Sequence, residues 1–257
     1  MALYLYGLMR SHEASQAADV ARDGLPSLHT VDQDGLAALT SPMEDGAMAL
    51  RRENALAHSD TLQAAFEHGP VLPVSFGTVL TDEQTLKRDF LAPRAEMLLR
   101  RLDALDGRAE MQVQATYPEE SLLRSILASS PRLAEAAERI RKLPDAASHF
   151  DRIALGEAIS GEVQVRREAD SRRIIVGLRE LALAVNLREP THERGVLNAA
   201  FLVDTGRLEE FDAEVERLSD QHADEMRFKL IGPMPAYSFA DQPWEDHIGT
   251  ARSPSWG

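Results

Sequence analysis

Hydrophobic positions at the start of the chain cluster without a helical gap. Residues 2–9 read Ala-Leu-Tyr-Leu-Tyr-Gly-Leu-Met, the pattern of a strand buried on at least one face. An Ala-rich acidic stretch follows and predicts a short helix, capped by Ser11 and ended at Gly24. Asp34-Gly35 marks a turn, and Leu36–Thr40 a second strand. From Ala47 to His68 there is neither Pro nor Gly, and Met48, Ala55, Leu62 and Phe66 recur as one face of a long helix. Gly69-Pro70 stops it. Val71–Leu80 reads as one strand whose Pro73, lacking an amide hydrogen, belongs at an edge or bulge. Thr81 is the expected cap of the next helix, with Leu86, Phe90, Met97 and Leu102 on its apolar face and a break or kink at Pro93. Ala109, Met111, Val113 and Ala115 then alternate with Glu110, Gln112 and Gln114, a half-buried strand. Helices over one face of a small sheet are the expected result.

The second part repeats this style. Tyr117–Leu143 predicts one or two short helices and Leu143-Pro144-Asp145 a break. A long helix is expected from Ser148 to about Leu187, weakened by Gly156, Gly161 and Gly177. Glu162 and Arg166, and Glu168 and Arg172, stand four apart as acid–base pairs along it. Val196–Val203 is a buried strand. Leu208, Phe211, Val215 and Leu218 line an amphipathic helix, and Arg227–Ile231 is a strand ended by Gly232-Pro233. The fold class is therefore α+β with two domains. The expected boundaries are a first domain at 1–117, a helical connector at 118–145, a helix-rich second domain at 146–239 and a loosely docked tail at 240–257.

Composition narrows the function. The net charge of −14 disfavours phosphate backbones and anionic lipid surfaces as partners. The 5% aromatic content disfavours base stacking. There is no Cys, so disulfides, thiolate nucleophiles and Cys-based metal sites are excluded. The N-terminus lacks a basic region before its short apolar run, and no apolar stretch approaches the ~20 residues that span a bilayer. A cytoplasmic protein is expected, with no nucleic-acid or membrane partner.

Motifs for chemistry are missing. No GxGxxG, GxxxxGK or GxSxG occurs, and the eight His form no HxH or HxxxH pair. No metal, cofactor or catalytic residue is expected, and the chain reads as a non-enzyme. The acidic side of residues 209–224 is the expected solvated face of a helix. Arg166, Arg167, Arg172 and Arg173 can clamp an anion, but with acids in pairing range a salt-bridged helix is the expected outcome. Tyr4 and Tyr6 share a strand face and read as packing rather than an active site.

Two matched segments remain. Gly69-Pro70-Val71-Leu72-Pro73-Val74-Ser75-Phe76-Gly77-Thr78 is one. The other runs from Val196–Val203 to Gly232-Pro233-Met234-Pro235-Ala236-Tyr237-Ser238-Phe239. With Leu3-Tyr4-Leu5-Tyr6-Gly7, the long helix carrying His58 and the helix carrying Phe211, they resemble the gas vesicle protein F/L family over nearly the whole chain. The family usually has Arg where Ser75 stands, and a Trp and a further Pro where Met234 and Ala236 stand. The resemblance implies a ferredoxin-like N-terminal domain. It implies a non-catalytic accessory or minor structural role in gas vesicle assembly, in contact with the hydrophobic shell protein and other accessory proteins. Val71, Val74, Phe76, Tyr237 and Phe239 are the expected partner-binding residues. The alternative reading is a ferredoxin-like regulatory domain that binds a small molecule.

Overall fold

The computed structural model describes residues 1–19, 27–43, 51–144, 148–190 and 192–240. The expected ends at Gly24 and Ala47, and the tail beyond Ala240, lie outside them. The first sheet is built from β1 (Ala2–Arg10), β2 (His29–Gln33), β3 (Leu36–Met43), β4 (Leu72–Pro73) and β5 (Val79–Leu80). Helices α1 (Ser11–Asp19) and α2 (Arg52–Phe66) connect β1 to β2 and β3 to β4. The strand order is β2-β3-β1-β4, with β5 also on β1 and every pairing antiparallel. A β-α-β-β-α-β chain in that order is the ferredoxin-like arrangement.

The register shifts between Leu5 and Gly7. This bulge changes the parity of β1, so that Tyr4 before it, Tyr6 within it and Met9 after it all enter one core with Ala14 and Ala17 of α1 and Leu62 and Ala65 of α2. Leu3, Leu5 and Leu8 are buried as well. Both faces of β1 are thus covered, where helices on one face were expected.

Beyond the sheet, α3 (Glu83–Thr85) runs through a π-helical turn at Leu86–Leu91 and a 3-10 turn at Ala92–Arg94 into α4 (Ala95–Leu105). Pro93 lies inside the irregular stretch, where a missing amide hydrogen costs least. The cap of α3 is Asp82, whose carboxylate accepts the Thr85 amide at 2.7 Å, one residue after the expected Thr81. Met97 is exposed and Leu98 buried instead.

The second sheet has β6 (Arg108–Thr116), β7 (Ala184–Leu187), β8 (Gly195–Asp204) and β9 (Arg227–Met234). Between β6 and β7 come α5 (Glu119–Ser129), α6 (Pro131–Arg141) and α7 (His149–Arg179); α8 (Leu208–Gln221) joins β8 to β9. The order β7-β8-β6-β9 repeats that of the first sheet, strand for strand. Three readings are corrected here. The long helix ends at Arg179, and residues 184–187 are a strand. β9 continues through Gly232-Pro233 to Met234. Arg166 meets Asp170 at 3.5 Å and Glu225 at 3.2 Å rather than Glu162. The acidic side of α8 is solvent-exposed while Phe211, Val215 and Leu218 are buried.

Contacts divide the chain into two units. One holds Met1–Met111, Leu202–Gly206 and the chain from Gly232 onward; the other holds Gln112–Phe201 and Arg207–Ile231.

Two glycines predict stability changes of opposite sign. A Cβ on Gly7 would stand 2.8 Å from Leu62 Cδ2 and 3.0 Å from the Leu72 carbonyl oxygen. Gly7→Ala therefore costs about 1–3 kcal/mol by overpacking. Gly156, in the exposed part of α7, has nothing within 4 Å of such a Cβ. Gly156→Ala adds about 0.5–1 kcal/mol. Urea unfolding midpoints measure both.

Candidate functional site

The first matched segment is tied down by a hydrogen-bonded chain that starts on β1. Tyr4 Oη lies 2.8 Å from His58 Nδ1, and His58 Nε2 lies 3.1 Å from the Val74 carbonyl oxygen. A carbonyl only accepts, so Nε2 carries the proton and Tyr4 donates to Nδ1. The Tyr4 oxygen in turn accepts the Gly77 amide at 3.2 Å. The Tyr6 ring stacks on His58 at 5.5 Å, its hydroxyl 3.1 Å from Ser41 Oγ, and Phe76 meets the imidazole edge-on at 5.7 Å. Burial pushes the His58 pKa down, opposed by its bond to Val74, and pushes those of Tyr4 and Tyr6 up. The imidazole is thus neutral, and its hydrogen bonds fix the turn.

That turn interrupts the single strand expected at 71–80. Leu72–Pro73 and Val79–Leu80 both pair with β1, and the intervening residues turn outward. The Val74 amide still donates to Tyr6 O at 2.9 Å and the Leu5 amide to Thr78 O at 3.0 Å. Pro73 lies on β4, the last strand of the order, as an edge residue should.

The second matched segment grips the same helix from another side. Gln63 Nε2 donates to the Pro233 carbonyl oxygen at 3.0 Å, and the Tyr237 hydroxyl shares a hydrogen bond with Ser59. Gly232 has φ +137°, and a Cβ there would lie 2.8 Å from the Glu110 carbonyl oxygen, so the approach requires glycine. Glu110, expected on the wet face of β6, is 0% exposed. Its carboxylate accepts the Ser238 amide at 2.6 Å and the Ser238 hydroxyl at 2.8 Å, while Arg101 donates to Ala240 O at 3.0 Å. Residues 237–239 form a turn and not an extended chain, so Tyr237 and Phe239 do not face the same way: Phe239 is 5% exposed and Tyr237 37%.

All five expected contact residues belong to the first unit. Val71 is core, Phe239 is buried, and Val74, Phe76 and Tyr237 stay partly open. His58 and Glu110 position them. In the sequence His58 stood out only as a residue of the long helix, and Glu110 as a solvent-facing position of an alternating strand. The signal for Glu110 was the Ser in Tyr237-Ser238-Phe239, a donor that a buried carboxylate needs.

Elsewhere, in the second unit, the Tyr117 hydroxyl donates to buried Asp170 at 2.8 Å, and Arg173 pairs with the other Asp170 oxygen at 2.8 Å. Of the four arginines, Arg166 and Arg173 are thus engaged with the buried Asp170. Two surface depressions of about 590 and about 450 Å³, one around Glu138 and Lys142 and one around Glu83 and Arg88, are open to solvent. Among the described residues no group of three His, Asp or Glu side chains converges on a metal position, and no helix is long and apolar enough to cross a membrane.

Comparison with known proteins gives one answer. A family model described as gas vesicle synthesis protein GvpL/GvpF matches residues 2–241. Gas vesicle protein F of Streptomyces sp. (strain CB03234) is 33% identical over 94% of this chain and 100% of its own length. Gas vesicle protein L of the same strain is 30% identical over 75% of this chain and 70% of its own. The fold matches the crystal structure of GvpF from Anabaena sp. PCC7120 with a TM-score of 0.78 at 24% identity, covering 94% of this chain and 98% of that one.

Two outcomes follow for His58. Its pKa is depressed by folding, so below the ordinary value of about 6.5 the unfolded chain binds a proton more readily than the folded one. Stability is full above that pH and falls as the pH drops toward the folded pKa. Urea unfolding from pH 7.5 to 5 should show the fall, and His58→Gln should flatten it. Tyr4→Phe removes the donor to Nδ1 and the acceptor for Gly77, at a cost of about 1–3 kcal/mol in the same assay.

Proposed function

Because this chain belongs to the GvpL/GvpF family of gas vesicle synthesis proteins, with a role in gas vesicle formation, we propose that it acts there as a non-catalytic binding protein. It holds the hydrophobic shell protein, and with it other accessory proteins, during assembly in the cytoplasm. A shell that keeps water out of a gas space carries apolar surface, and such surface aggregates until it is covered. An acidic chain with a net charge of −14 stays dispersed while offering a small apolar face.

The observation that carries this reading is the Val74–Thr78 turn. Its inner side is locked by Tyr4 and His58, while Val74 and Phe76 remain partly open and neighbouring Val79 is exposed. A pre-shaped turn loses little freedom on binding. β4 at the end of the sheet order adds a short free edge, a common site of strand addition. Val71, in the core on which Phe76 packs, supports the face from beneath.

Purified shell protein should be retained by this protein in a pull-down, and retention should survive about 0.5 M salt, because apolar contact is not screened. Val74→Asp should abolish it. Loss at high salt with no effect of Val74→Asp would refute the apolar turn. Phe239→Ala should cost about 3–5 kcal/mol and reduce vesicle formation through depletion of the protein. Unchanged melting with vesicle formation lost would make the 232–239 segment a recognition element instead.

A further inference from the structure

One side of α2 faces neither the sheet nor any strand pairing. His58, Thr61, Leu62 and Ala65 are its buried residues. Leu56, Ser59, Asp60 and Gln63 lie on another side, at the i, i+3, i+4 and i+7 spacing of neighbours on a helix. Ser59 and Gln63 hold the second matched segment, and Asp60 is close enough to Tyr237 to act on its phenol. Leu56, one turn earlier, is 52% exposed. The latch between Glu110 and Ser238 fixes the turn that carries Tyr237, so its half-open ring has a defined place beside α2.

We propose that Leu56 and Tyr237 form a second docking surface, distinct from the Val74–Phe76 turn. Its occupant is a segment of the shell protein with an apolar side chain flanked by Lys or Arg; in this the inference rests on the binding role proposed above. Charge selects that occupant. Glu53 and Asp60 stand seven residues apart on the side of Leu56, both exposed, with Arg52 the cation on that side among the described residues of the helix. An aliphatic side chain fits over Leu56 and against the Tyr237 ring. A neighbouring Lys or Arg then reaches Asp60 and can lie over the ring face, where a cation is attracted. The Ser59 hydrogen bond holds the Tyr237 hydroxyl one helical turn along from Leu56.

The test measures binding of purified gas vesicle shell protein to the wild type and to Leu56→Ala, Leu56→Glu, Tyr237→Ala, Asp60→Lys and Val74→Asp, with thermal melting of each. Leu56→Ala and Tyr237→Ala should each weaken binding about fivefold or more, the size of an interface anchor. Leu56→Glu, on an exposed side chain that leaves the core untouched, should weaken it further with the melting temperature unchanged. Asp60→Lys should weaken binding severalfold at about 0.05 M salt and hardly at all at about 0.5 M, as a screened surface pair does. Wild-type binding that Val74→Asp destroys and that both Leu56 variants and Tyr237→Ala leave intact overturns this surface and spares the turn. Failure of the wild type to bind overturns both.

Discussion

A single neutral imidazole organises the first unit. His58 has one proton and one lone pair, and the fold spends both: the proton on the Val74 carbonyl, the lone pair on Tyr4. A charged imidazole has two donors and no acceptor, so Tyr4 would lose its acceptor, and Nδ1–H would compete with the Gly77 amide for the phenol oxygen. Burial prevents this by disfavouring the charge. Position of the helix, aim of the Tyr4 hydroxyl and shape of the 74–77 turn are therefore one arrangement and not three.

The same helix explains why two short stretches of sequence match. Gly69-Pro70 and Gly232-Pro233 each lead, six residues after the Gly, to Ser-Phe. Both stretches come at the fourth strand of a β-α-β-β-α-β order, and both sheets share one strand order. Yet the second copy does not serve the second unit. It contributes its backbone carbonyl at Pro233 and its tyrosine to α2, opposite in role to the first copy, which receives His58. The repeat thus supplies two different grips on one helix.

Much of this was legible from residues alone. The period of Leu208, Phe211, Val215 and Leu218, the alternation from Ala109 to Ala115, and the Gly-Pro stop after α2 each depend on local chemistry and appear where the pattern put them. What failed depended on tertiary partners. β2 went unseen because only Val31 of its five residues is buried, and pairing with β3 makes it a strand. Residues 184–187 follow a helix too closely for periodicity to separate them. The Val71–Leu80 run is apolar throughout, and only the His58 and Tyr4 bonds make it turn. The likeness between the two matched segments was visible; that both grip one helix was not, because no local rule links His58 to the Val74 carbonyl or Gln63 to that of Pro233.

The distance of that link shapes how the chain is made. Glu110 and Ser238 are separated by 128 positions, and the intervening chain includes all of the second unit. At synthesis rates of about 5–20 residues per second, the ribosome needs roughly 6–26 s to pass from one to the other. Neither that link nor the grip of Pro233 and Tyr237 on α2 can form before then. The first unit is therefore complete only after the entire second unit has been translated. A chain truncated before Ser238 would lack both hydrogen bonds that this serine gives the Glu110 carboxylate, however well its first hundred residues had packed.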